Sequence, residues 1–233
     1  MLQKLLGFDN YLFLFSLFTI RQLKNNRHER EFLYFLKNIR SGGIVLDIGA
    51  NIGITAVPLA QEHKSREIYA FEPVPQNLAA LKRVIKYHRL TNIRVFEFAL
   101  GKCPGELNMV MPVIDNVRMQ GLSHVTETPQ TESGLVYTVP VRVLDQLDEL
   151  KGKKVAAIKI DVENFEFEVL SGAVRLLSEN RPLIYCELWD NEKRGQTIAL
   201  LEGLGYRTMF AQADTLLPYS GQPGVLNYFF VKE

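Results

Sequence analysis

Acidic side chains close several of the short apolar runs in this sequence, and a glycine-containing loop follows the first of them. In VLDIGANIGITAV (residues 45–57), Asp47 ends an apolar run, Gly49 and Gly53 surround Ala50 and Asn51, and an apolar segment resumes at once. Glycine is needed where backbone turns sharply or comes within contact distance of a ligand, and a helix start offers free N–H groups. Such a loop can seat a nucleotide-like ligand carrying carboxylate or phosphate. Glu72 ends the next run, IYAFE, near the distance of about 20 residues beyond the glycines at which an acid meets ribose hydroxyls. That spacing fits a nicotinamide dinucleotide or S-adenosylmethionine equally. The loop composition separates them, because a pyrophosphate site reads GxGxxG, whereas GANIG has an acid two positions ahead of it. Asp47 there would repel pyrophosphate and suit a sulfonium and an amino group; the alternative is that Asp47 merely caps the loop.

These acids need elements to position them, and the rest of the chain supplies an alternation of strands and helices. Strands are expected at 44–48, 68–72, 93–100, 155–162 and 182–189. Helices are expected from about Ile54 to Glu62, with Thr55 as N-cap so that Pro58 falls in the first turn, and from Pro75 through Leu78, Leu81 and Ile85. A further helix has Leu170, Val174 and Leu177 on one face, and another carries Ile198, Leu201 and Leu204 and stops at Gly205. The pattern predicts an α/β fold, a doubly wound, mostly parallel sheet with ligands at the carboxyl ends of its strands. GYRTMFA and NYFFVKE, separated by a Pro- and Gly-containing loop, should pair antiparallel and finish the sheet. Between about 101 and 145 lies an insertion in which GELNMVM and VYTVPVRV read as strands flanking the polar loop MQGLSHVTETPQTESG.

A chain of 233 residues with 47% apolar content suits one compact domain, 44–233, preceded by a helical extension, 1–43. The net charge of +1 comes from scattered acids and bases, which argues against a nucleic-acid partner. Cys103 and Cys186 stand far apart with no CxxC, encoding neither a disulfide framework nor a zinc site and suiting a reducing cytoplasm. The decapeptide YLFLFSLFTI (Tyr11 to Ile20) reaches only about 15 Å as a helix, half of a bilayer core of roughly 30 Å. It reads first as a helix packed on the domain, second as a partner or homodimer surface, and third as a membrane-surface anchor. In EREFLYFLKNI, Phe32, Leu36 and Ile39 recur at helical spacing, and SGG at 41–43 ends that helix.

VLDIGANIG, YAFEPVPQNLAALK, FALG, VRVLDQL, IKIDVENFEFEVLSGA and PLIYCEL, in that order over roughly 44–190, resemble the FkbM-type S-adenosylmethionine-dependent methyltransferases. The resemblance implies a class I methyltransferase fold with a seven-stranded sheet and an antiparallel final strand, and O-methylation of a hydroxyl on a sugar or other natural product. It also implies that Asp47, Gly49, Ala50, Asn51 and Gly53 form the cofactor loop, that Glu72 and Pro73 meet ribose and adenine, and that Ala99 and Leu100 flank the adenine. The chain departs from the family at KIDVEG, which here reads Lys159-Ile160-Asp161-Val162-Glu163-Asn164-Phe165. Asn tolerates a left-handed backbone better than other non-glycine residues, so Asn164 is expected at positive φ. The bulk of Phe165 bears on the acceptor more than on the cofactor.

Methylating a hydroxyl requires a base, because an aliphatic alcohol is scarcely ionised at neutral pH. Asp161 and Glu163 are the first candidates for base or substrate clamp, with the loop residue His124 competing. The alternative for the Glu163 and Glu166 carboxylates is pairing with lysines or capping of the following helix. Strand alternation turns Lys159 toward Asp161, and Lys159, Glu187 and Trp189 are candidates for holding the acceptor, with Tyr185 a weaker one. A hard-metal site made from Asp161, Glu163 and Glu187 is a lesser alternative, so no metal is expected. Two other classes are an NAD-dependent oxidoreductase and a non-catalytic nucleotide- or partner-binding module on the same fold.

Overall fold

The apolar runs become strands because β-branched and aromatic side chains can fill both faces of a covered sheet. The computed structural model of the chain describes residues 2–23, 30–40, 42–114, 117–126, 128, 133–212 and 215–232. Its strands are β1 (Ile44–Ile48), β2 (Ile68–Phe71), β3 (Ile93–Phe96), β4 (Ala99–Leu100), β5 (Gly105–Ile114), β6 (Val117–Arg118), β7 (His124–Thr126), β8 (Gly134–Arg142), β9 (Val155–Ile160), β10 (Leu183–Glu187), β11 (Arg207–Gln212), β12 (Thr215–Pro218) and β13 (Asn227–Val231). Its helices are α1 (Leu2–Leu6), α2 (Phe8–Leu23), α3 (Arg30–Asn38), α4 (Ala56–Glu62), α5 (Pro75–Tyr87), α6 (Glu166–Ser171), α7 (Val174–Asn180) and α8 (Glu192–Gly203).

Among the described residues the main sheet runs β12-β11-β13-β10-β9-β1-β2-β3. Its central strands are parallel, and β13 lies antiparallel between β10 and β11, as the sequence pattern predicts. The sheet has eight strands where seven are predicted, because Thr215–Pro218 folds back on β11 with Pro218 beside Met209. That edge strand is short and largely exposed, so it carries neither alternation nor a buried run.

Two other expectations are corrected. The run 93–100 is not one strand: it leaves the main sheet after Phe96, where Glu97 turns outward to Lys82 at 2.6 Å, and resumes as β4 beside β8. Nor is 166–180 one helix. The chain breaks at Gly172, where a Cβ would stand 2.3 Å from the Gly101 carbonyl oxygen, and Val174 is exposed, not packed with Leu170 and Leu177. The insertion does form the expected antiparallel pair, β5 with β8 from Gly105↔Val141 to Pro112↔Gly134, and β7 adds to the other edge of β5. Residues 127 and 129–132 of its polar loop, and Ser41 of SGG, lie outside the described residues.

Pleating divides the core. Leu46, Ile48, Ile158 and Ile160 face α6, α7 and α8 through Leu170, Leu177 and Leu201. Val45, Ile68, Ala157 and Tyr185 face α3 and α4 through Phe32, Phe35 and Leu59. Each Val, Leu, Ile or Phe side chain among them contributes about 1.5–3 kcal/mol on burial. The N-terminal segment packs on the domain: α2 lies along α5, burying Leu12, Ser16, Ile20 and Leu23, and the Ser16 hydroxyl donates to the Ile52 carbonyl oxygen at 2.8 Å. No described helix is long and apolar enough to cross a membrane.

Candidate active site

A cleft opens beyond the carboxyl ends of β1, β2 and β9, with the insertion as its roof. Its floor begins at the loop after β1. Gly49 has φ +78°, and a Cβ there would stand 1.9 Å from the Asp161 carbonyl oxygen, so only glycine lets this loop meet the end of β9. Asn51 follows at φ 48° and Gly53 at φ 92°. Thr55 is the residue before α4, which puts Pro58 in the first turn as expected, though its hydroxyl does not cap the helix. It donates instead to Asp47, 2.8 Å from Oδ2 and 3.1 Å from Oδ1.

Asp47 is therefore placed differently from the expectation that it faces the ligand. It pairs in register with Lys159 on the neighbouring strand, so both side chains project to one face beneath the loop, where both are buried. The Lys159 ammonium lies 3.7 Å from Asp47, 3.6 Å from Asp161 and 3.1 Å from the Gly49 carbonyl oxygen, to which it donates. Burial alone would lower the lysine pKa, but the carboxylates of Asp161, Asp47 and Glu187 outweigh it and hold Lys159 charged. Burial pushes Asp47 up against the opposing pull of Lys159 and Thr55. Lys159 and Asp47 support the loop from behind and do not line the cleft. The repulsion of pyrophosphate argued from Asp47 thus loses its geometric basis, since this carboxylate is turned to Thr55 and Lys159, off the cleft lining.

Glu72 joins the first loop to the second. Its Oε2 accepts from the Asn51 backbone N–H at 2.9 Å, and its Oε1 from the Val74 N–H at 2.8 Å and the Asn77 amide at 3.3 Å. Burial raises its pKa to about 7 against those hydrogen bonds. Oε1 has both its lone pairs engaged while Oε2 keeps one, and Glu72 lines the cleft with Gly49, Asn51 and Pro73. The Asn51 side-chain oxygen is buried on that wall without a hydrogen-bond partner, an acceptor that a bound donor would satisfy. Ala99 and Leu100 form the facing apolar wall.

The turn after β9 carries Asp161 and Glu163 into the same cleft. Asn164 has the expected positive φ, 72°, and Glu163 shares it at 54°, so two consecutive non-glycine residues are left-handed. The strain is held from both sides. The Glu166 carboxylate accepts from the Val162 N–H at 2.9 Å. The Asn191 amide donates to the Asn164 side-chain oxygen at 2.7 Å, and the Lys193 ammonium donates to the Asn164 carbonyl oxygen at 3.0 Å while lying 3.1 Å from Glu168. Glu163 is raised to about 8, first by burial and then by Asp161, Glu187 and Glu166, with Lys159 opposing.

Of the other predicted residues, Ala50 packs against Ala56, Ala70 and Leu81 behind the loop, and Gly53 sits against Leu81 where α4 meets α5. His124 is not in the cleft: β7 alternation gives that wall to Ser123 and Val125, and the His124 ring nitrogen Nδ1 lies 2.9 Å from the Leu122 carbonyl oxygen. Glu187 ends β10 outside the lining, close enough to affect Glu163 through its charge. Trp189 is 42% exposed and off the lining, and Tyr185 is core, stacked on Phe35 at 5.4 Å. Phe165, singled out for its bulk, lines the cleft, whereas sequence reasoning missed Asn77, Phe98, Met109 and Gln120. Asn77 alone carried a signal, a polar residue in the buried first turn of an otherwise apolar helix face. Among the described residues no group of three or more His, Cys, Asp or Glu side chains is arranged to hold a metal, so the Asp161–Glu163–Glu187 alternative has no geometric support.

The strand order, the antiparallel β13 and the cleft over the carboxyl ends of β1, β2 and β9 define a class I methyltransferase fold. Residues 47–213 match the family described as the Methyltransferase FkbM domain, and the chain belongs to that family. It is 28% identical over 228 residues, 82% of this chain and 86% of the other, to the 31-O-demethyl-FK506 methyltransferase FkbM of Streptomyces tacrolimicus. It is 27% identical over 203 residues, 74% of this chain and 77% of the other, to methyltransferase sdnD of Sordaria araneosa. Among solved structures, the methyltransferase FkbM of Methylobacillus flagellatus KT superposes with TM-score 0.55 at 18% identity, over 83% of this chain and 45% of that one. This chain thus spans under half of that protein's length. An S-adenosylmethionine-dependent O-methyltransferase of Thermotoga maritima gives 0.51 at 12% identity, over 92% of this chain and 71% of that one. At such identities the structural likeness speaks for the fold.

Proposed function

We propose that this methyltransferase uses S-adenosylmethionine to methylate a hydroxyl of a sugar or other natural-product acceptor, with Glu163 as the base. The observation that carries this is the placement of Glu163 in one cleft with the Glu72–Asn51 wall. The cofactor fits that wall. Glu72 Oε2 keeps a lone pair for a ribose hydroxyl, the buried Asn51 oxygen needs a donor, Pro73 and Ala99 offer apolar contact, and the nearby Asp161 carboxylate suits a cation. When bound, S-adenosylmethionine supplies an electrophilic methyl carbon on its sulfonium. Glu163, with a pKa near the working pH, takes the acceptor's hydroxyl proton as the oxygen attacks, and Lys159 keeps the Gly49 loop and Asp161 in place. The relative named for 31-O-demethyl-FK506 supports oxygen as the acceptor atom.

Calorimetry with S-adenosylmethionine, S-adenosylhomocysteine and NAD tests the first half, with Glu72→Ala as control. Micromolar binding of the first two, lost in the variant, is expected; NAD binding without them would sink the assignment. Release of S-adenosylhomocysteine across a panel of hydroxylated acceptors tests the second half. Glu163→Gln should lower kcat by about 10²- to 10⁴-fold while leaving cofactor affinity within a few fold.

A further inference from the structure

Helix α2 is apolar around most of its circumference, yet it buries only the stripe Leu12, Ser16, Ile20 and Leu23. A helix apolar on every side is ordinarily covered on every side. On its outward stripe Leu14 is 47% and Phe18 58% exposed, one helical turn apart, with Arg21 a further turn along. Phe13, on its flank, meets exposed Tyr87 of α5 edge-on at 5.9 Å and carries the Arg83 guanidinium 4.3 Å above its ring. The apolar stripe therefore continues into a basic border.

Charge selects what covers this face. Helices α1, α2 and α5 carry Lys4, Arg21, Arg83 and Lys86 against Asp9 as their one described acid, with Lys82 paired to Glu97, in a molecule whose net charge is only +1. A second copy docked through this face would set basic residues against basic residues. A layer of anionic headgroups would neutralise them while the acyl boundary takes up Leu14 and Phe18. We propose that the α2 face docks the protein on an anionic membrane surface. The helix lies on the membrane and does not span it. Docking would also bear on the cleft, because Ser16 bonds the Ile52 carbonyl in the Gly49–Gly53 loop, and Phe8 packs with Val74 and Met109 of the cleft wall.

Flotation of the intact chain with phosphatidylcholine vesicles, with and without phosphatidylserine, tests this independently of any methyl acceptor. The expected result is flotation with the phosphatidylserine vesicles only, weakened by added salt. Phe18→Glu should abolish it, and Arg21→Gln and Lys86→Gln should each weaken it roughly fivefold. The substituted side chains are exposed, and unchanged melting temperatures would show that the fold survives. Failure of the wild-type chain to float, equal flotation on uncharged vesicles, or undiminished flotation of a folded Phe18→Glu variant would each overturn the proposal. So would a sedimenting dimer that Phe18→Glu dissociates without any vesicle binding, which would make a second copy the occupant.

Discussion

Glu163 gives the reaction a pH dependence whose sign can be worked out. Its folded pKa is raised to about 8, above the ordinary 4.5, chiefly by burial. As a base it acts only when ionised, so kcat/KM should climb with pH and level off above about 8. Glu163→Gln should remove that limb along with most of the rate. Stability moves the other way. The native state holds this proton more tightly than the unfolded chain, so the contribution is fully present below about 4.5 and is lost as pH rises through about 8. Thermal melts should show Glu163→Gln gaining on the wild type as pH rises across that window and matching it at pH below about 4. An equal gap at every pH would mean that Glu163 is not carrying the buried charge.

One element above, α8 acts as a clamp on the turn that carries this base. Left-handed backbone costs a non-glycine residue about 1–2 kcal/mol, and Glu163 and Asn164 both bear it. Asn191, the N-cap of α8, and Lys193, in its first turn, hold Asn164 by side-chain oxygen and by carbonyl. Lys193→Met should therefore lower kcat more than it raises KM for the cofactor, because it loosens the turn and leaves the Glu72 wall alone. Asn164→Gly relieves the strain at the cost of one hydrogen bond, and should stay within about 1 kcal/mol of wild type, whereas Asn164→Ala should lose about 1–2 kcal/mol. If the clamp acts through backbone conformation, glycine at 164 should restore part of the rate lost in Lys193→Met. No restoration would assign Lys193 to packing on Phe165, whose ring lies 5.6 Å from the ammonium.

For the molecule as a whole, the main sheet was legible in the sequence because its strands are covered on both faces and so read as continuous apolar runs. The Gly49 loop and the Glu72 strand end were legible because such positions are set by where a run stops. Which way a side chain points from a strand end was harder to read. Asp47 and Lys159 fall under the loop by the pleat phase they share, and His124 points off the cleft because β7 registers on β5, a pairing that a polar loop sequence does not announce. The roof's strand pair was legible but its lining was not, for the same reason: Met109, Gln120 and Phe98 come together only through pairing between distant segments.

That roof is tied to the N-terminal extension. Gln3 exchanges two hydrogen bonds of 3.1 Å with the Arg118 backbone, the Arg118 guanidinium sits 4.8 Å from the Phe8 ring centre, and Phe8 packs with Met109 and Val139. The main sheet has its own two-faced core and makes none of these contacts. Phe8→Ala should therefore loosen the roof before the sheet, because local opening is governed by the contacts a segment itself makes. Hydrogen exchange measured by segment should accelerate in β5, β6 and β8 and stay near the wild-type rate in β1, β2 and β9, with KM for the acceptor rising more than KM for the cofactor. Uniform acceleration across both groups of strands would show instead that roof and sheet open as one unit and that the extension supports the entire fold.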